Sequence, residues 1–182
     1  MTAPSADKLV PYVVTKEYLA PTAPPEGIAI PIGHDLFAHL SLDFDGVTKG
    51  VEAQDLKVMN LTPKAAHAKA LENLDRISQE IDLVMLTSDK GLPFITLAGH
   101  WLAASCVRLP SIFGVASREL ESETLIASIP NREIMLLFPP GTPAQMSDML
   151  GTIRKNERSA PKKLTWELFN LTSKGLSPRI GL

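Results

Sequence analysis

With 182 residues, 45% of them hydrophobic and 21% charged, the chain has the composition of a folded globular protein rather than a disordered one. A formal charge of −2 gives no overall pull on polyanions, and only 5% aromatic residues leaves few platforms for stacking bases, so nucleic acid is a poor partner on composition. The lone cysteine, Cys106, rules out an intrachain disulfide, and no stretch approaches the ~18 apolar residues needed to cross a bilayer, so a soluble, cytoplasmic protein is expected.

Residues 1–27 carry Pro4, Pro11, Pro21, Pro24 and Pro25. Proline lacks the backbone donor of a helix interior or central strand, so this stretch reads as a proline-rich N-terminal arm. Val10, Tyr12, Val13, Val14, Tyr18 and Leu19 give it enough apolar surface to lie against the remainder, residues 28–182, read as one α+β domain.

From Ile28 the pattern has period two: Ile28, Ile30 and Ile32, then Leu36, Ala38, Leu40, Leu42 and Phe44. Gly33-His34-Asp35 and Asp45-Gly46 supply turn chemistry at either end of the second run, which predicts a hairpin. A short helix near 53–59 precedes a longer one opened by Thr62 as N-cap and Pro63 at its first position. Ala66, Ala70, Leu74, Ile77 and Ile81 form its apolar stripe, and Glu72 and Arg76 are spaced for a surface ion pair.

IDLVML and LPFITLAG read as two strands, placed centrally because both are nearly all apolar. GHWLAASCVRL reads as a buried helix ended by Pro110, and ETLIASIP and EIMLLFP as a tight hairpin around Asn131-Arg132. Thr142 and Gln145 make a capping box for a helix whose stripe is Met146, Met149, Leu150 and Ile153. LTWELFNLT is a last strand before a loose tail. Paired strands with helices between them predict α+β: a mostly antiparallel sheet, mixed directions left open, packed with three to four helices in one compact domain.

No nucleophile elbow, phosphate loop, zinc-protease helix or dinucleotide fingerprint is present, so no residue is assigned as catalytic and the balance lies against an enzyme. The binding residues singled out are Asn131, Arg132 and Glu133, whose turn could present a guanidinium and a carboxylate, together with His100 and Trp101. Against this stands ordinary turn chemistry with solvated charges. His34, His39, His67 and His100 show no local metal-ligand spacing, and Asp43-Phe44-Asp45-Gly46 lacks the ligands of a calcium loop. No metal or cofactor is assigned. Cys106, inside an apolar run, reads as a small hydrophobe. Arg154, Lys155, Arg158, Lys162 and Lys163 form a basic cluster that a helix C-terminus alone accounts for.

Two motifs, Ala70-Leu71-Glu72-Asn73-Leu74 and Pro130-Asn131-Arg132-Glu133, in this order of segments, resemble those of the bacterial YtpQ-like family over residues 28–175. Glu133 stands where that family commonly has aspartate. The resemblance implies a cytosolic α+β protein and brings no substrate, cofactor or catalytic residue. The leading expectation is a non-catalytic binding or adaptor domain, with another protein or a small anionic ligand as partner. Its rivals are a hydrolase or transferase built on His100, Arg132 and Glu133, and a weak phosphate or nucleic-acid binder built on the 154–163 cluster.

Overall fold

A computed structural model describes residues 3–21, 24–44 and 47–180, which pair into two antiparallel sheets with helices between the strands, an α+β fold. Contacts group the chain into two compact units, Met1–Gln79 and Glu80–Leu182.

In the first unit, strand β1 (Leu9–Thr15) pairs along its full length with β3 (Leu36–Phe44). The proline-rich segment thus contributes a strand, and Pro11 is accommodated because β1 is an edge. A four-residue helix, α1 (Lys16–Leu19), comes next, capped by Thr15. Strands β2 (Ala29–Gly33) and β4 (Val47–Gly50) pair with the first and second halves of β3. The predicted β2–β3 hairpin turns through His34 and Asp35, both at positive φ (50° and 55°). The predicted Asp45-Gly46 turn lies outside the described residues.

Helix α2 (Ala53–Met59) has a Glu52/Asp55 capping box, and α3 (Pro63–Ser78) opens with Thr62 accepting the Ala65 N–H. Ala66, Ala70 and Leu74 of α3 are buried, as their spacing predicts, and the first two pack with Leu9, Ile28, Leu40 and Leu42. Glu72 pairs with Lys69 at 3.3 Å rather than with Arg76. Asn73 shares the buried face, and its Nδ2 donates to the carbonyls of both Ala6 and Leu9 at 2.9 Å. The polar residue of the stripe therefore ties the first strand to the helix.

The second unit holds a six-stranded sheet in the order β10-β9-β7-β8-β6-β5. Its strands are β5 (Leu83–Thr87), β6 (Pro93–Ala98), β7 (Leu125–Asn131), β8 (Ile134–Phe138), β9 (Phe169–Thr172) and β10 (Gly175–Pro178). The IDLVML strand is not central: β5 is an edge, and Leu83, Val84, Met85 and Leu86 are all exposed. An apolar run signals burial, yet nothing covers the outer side of this strand among the described residues. The expected loose tail pairs with β9 as β10, through a turn at Ser173 and Lys174.

Pro110 does not end a helix. The segment before it is a 3₁₀ stretch, Ala103–Arg108, and Pro110 begins a helix, α4 (Pro110–Glu119), instead of ending one. Leu109 is held extended, as steric contact with the next residue's proline ring requires, so helical geometry breaks there and restarts with proline at its favoured first position. Helix α5 (Pro143–Glu157) carries the predicted Thr142/Gln145 box. Its Met146, Met149, Leu150 and Ile153 pack onto Ile126, Leu136 and Phe138 of the sheet.

Candidate functional site

The β7–β8 turn is two residues long, Arg132 and Glu133, and is set by the buried Asn131 before it. The Asn131 Oδ1 accepts the Glu133 N–H at 2.9 Å, the local bond that makes asparagine a turn residue, while its Nδ2 donates to Glu157 at the end of α5 at 2.8 Å. Asn131 is thereby spent on architecture.

Two further segments converge on the turn through their backbones. Gly99 N–H donates to the Glu133 carbonyl at 3.1 Å and Ala104 N–H to the Arg132 carbonyl at 3.2 Å, which seats the His100–Trp101 turn beside Arg132 and Glu133. From the other side, Arg132 N–H donates to the Lys162 carbonyl at 3.3 Å and Leu164 N–H to the Pro130 carbonyl at 2.9 Å. All five binding residues read from the sequence thus lie in one neighbourhood.

Their side chains are largely committed. The Lys162 ammonium donates to Glu133 at 2.9 Å, both groups close to half exposed. His100 Nδ1 accepts the Leu102 N–H at 3.1 Å, so the ring helps open the 3₁₀ stretch. The His100 and Trp101 rings stack with centroids 6.0 Å apart, and both are half-buried. The expected Trp101 helix is a turn, and the buried run that follows it adopts the tighter 3₁₀ geometry.

The basic cluster is dispersed in role. Lys162 holds Glu133, Lys163 bridges to Asn131 through its backbone, and Arg154 lines a cleft of about 520 Å³ along α5 together with Met146, Leu150, Gly151 and Arg179. Among the described residues no group of three or more His, Cys, Asp or Glu could hold a metal ion, and no helix is long and apolar enough to cross a membrane. His39 and His67 serve the first unit: His67 Nε2 donates to the Gly27 carbonyl at 3.0 Å, and His39 bonds Ser41 at 3.3 Å. Burial, then the nearby His67, holds the His39 imidazole below its ordinary range. Cys106 is buried, its thiol directed to the Leu102 carbonyl.

Sequence reasoning passes over Arg108, the last residue of the 3₁₀ stretch. Its Nη1 is buried without a hydrogen-bond partner, and burial lowers the guanidinium's pKa. An arginine ending an apolar run is the one signal that the sequence offers for it. No family model, curated protein or solved structure matches this chain.

Proposed function

We propose that this chain is a non-catalytic binding domain that engages a partner protein through the surface formed by His100, Trp101, Arg132 and Glu133. What supports the reading is one observation: backbone hydrogen bonds draw the 99–104, 130–134 and 162–164 segments together. Their polar side chains go into holding that assembly, and a stacked His100–Trp101 pair stays half exposed beside a guanidinium. Aromatic and arginine side chains on a rigid support are the residue types that carry most interface energy. The reading includes membership of the YtpQ-like family, on the Ala70–Leu74 and Pro130–Glu133 motifs, and a cytoplasmic setting.

The rival hydrolase or transferase needs His100 and Glu133 to exchange protons with a substrate. Against it, His100 Nδ1 is taken by Leu102 and the Glu133 carboxylate by Lys162.

A photo-crosslinking residue introduced at Trp101, with exposed Val58 as the control position, tests the proposal in cells. A discrete adduct at position 101 that Arg132→Ala reduces at least tenfold is expected. Equal labelling at both positions, or turnover of an ester, phosphate or peptide panel that Arg132→Ala abolishes, would overturn it.

A further inference from the structure

Arg108 closes the 3₁₀ stretch whose Ala103, Ala104, Ser105, Cys106 and Val107 are all buried, so its backbone is fixed by the packing of five residues before it. Arg108 lines a cavity of about 60 Å³ together with Phe113, Leu171, Thr172, Ser173 and Leu176, between α4 and the β9–β10 turn. Nη1 has no hydrogen-bond partner, and none of the ion pairs among the described residues includes Arg108. Burial pushes the guanidinium's pKa down.

Guanidinium stays protonated in proteins and cannot escape burial by losing its charge. Arg108 is half-buried, and a charge even partly withdrawn from water costs free energy unless an opposite charge and hydrogen bonds compensate it, as native structures usually arrange. The cavity wall includes the apolar Val107, Leu109, Phe113 and Leu176. Two hydroxyl residues line it as well. Thr172 Oγ1 accepts the Lys174 N–H at 3.2 Å, which leaves its own O–H as a donor, and Ser173 adds a second hydroxyl. Lys174, in the same turn, adds positive charge to the locality. The space is enough for a group of a few heavy atoms, since about 10–15 Å³ of such space holds one water.

We propose that Arg108 anchors a binding site for a carboxylate, with the guanidinium and the Thr172 and Ser173 hydroxyls as donors. A planar, singly charged group suits one guanidinium fork. The small volume admits the head group, and the apolar wall meets the carbon that bears it. The carboxylate comes from a small free acid or from a peptide. This site is separate from the Trp101–Arg132 surface: it lies at the other end of the 3₁₀ stretch and stands whether or not that reading holds.

Titration of the intact chain in low-chloride buffer tests it, with propionate as the free acid, acetyl-leucine as the peptide-like acid, and acetyl-leucinamide and chloride at equal ionic strength as controls. The readouts are NMR shifts of the Arg108 Nε–H and thermal stability. Saturable shifts and a raised Tm with both acids and neither control are expected, at least tenfold tighter for acetyl-leucine if the source is a peptide and comparable if it is a free acid. Arg108→Met should abolish the response. If that variant fails to fold, Arg108→Lys, which keeps the charge and loses the fork, should weaken it at least tenfold. No saturable response to either acid, an equal response to chloride or the amide, or an undiminished response in these variants would overturn the proposal.

Discussion

Replacing Asn73 by aspartate keeps the size and shape of the side chain and reverses the chemistry of one atom. The amide nitrogen that donates at 2.9 Å to both Ala6 and Leu9 becomes an oxygen facing two carbonyl oxygens, at a position only 3% exposed. Two net hydrogen bonds at about 0.5–1.5 kcal/mol each are lost, and an unpaired buried charge brings the total to about 3–5 kcal/mol at neutral pH. Protonation relieves it, so the folded-state pKa of the introduced carboxyl lies above the unfolded value of about 3.9. The variant is then closest to wild type below that value and loses stability as pH rises towards its folded pKa. Asn73→Ala, which has no charge to relieve, should cost about 1–3 kcal/mol with no such pH dependence. Urea unfolding at several pH values measures both. Hydrogen exchange should show the loss in peptides covering β1, because the lost bonds anchor that strand to α3. An Asn73→Asp variant within 0.5 kcal/mol of wild type at pH 7, or equally destabilised at pH 4 and pH 7, would refute this account.

Asn131→Ala removes the bonds to Glu157 and the Glu133 N–H, and should cost about 2–4 kcal/mol in urea unfolding; a change below 0.5 kcal/mol would mean that the turn holds without them. The His39 imidazole is held below its usual 6.5, so the unfolded chain takes up this proton first. Its contribution is complete above about pH 6.5 and declines as pH falls towards the folded pKa, and a His39→Gln variant should unfold with a visibly flatter pH dependence between 6.5 and 5. An unchanged slope would count against the assignment. Because β5 exposes an apolar edge, Met85→Lys should raise the solubility limit and reduce concentration-dependent light scattering, at a stability cost within about 0.5 kcal/mol. Identical scattering for the two proteins would show that this edge does not template association.

Features fixed by residues close in sequence are legible in it. Thr62-Pro63 and the Thr142/Gln145 box mark helix starts through bonds three residues long, and both caps form. The hairpin joining β2 and β3 shows itself through its alternation and the turn residues His34 and Asp35. Features that depend on distant partners do not. Strands β4 and β10 are four residues each, too short to show a period, and exist because β3 and β9 offer them a ladder. Apolarity alone puts β5 in the centre, since a strand's pattern reports its side chains and not whether a neighbour pairs with its outer backbone. Pro110 carries two meanings in a sequence, as the end of one helical segment and the start of another, and the restriction on Leu109 decides between them.

The site divides along the same line. That Asn131 makes a turn is a local property, whereas its grip on Glu157, 26 residues away, and the seating of Lys162 on Glu133, 29 residues away, depend on β7, β8 and α5 sharing one unit. The run from Ala103 to Val107 shows how one short sequence serves two surfaces. Four of its five residues are Ala, Ser or Cys, small enough for the chain to lie against the sheet. Close packing fixes the backbone at both ends of the run. At one end this holds Trp101 half out of the protein beside Arg132, and at the other it holds the Arg108 guanidinium half in. A bulkier residue at Ala103 or Ala104 would lift the segment from the sheet and displace both groups together, so the small side chains, which bind nothing themselves, set where the two candidate recognition groups stand.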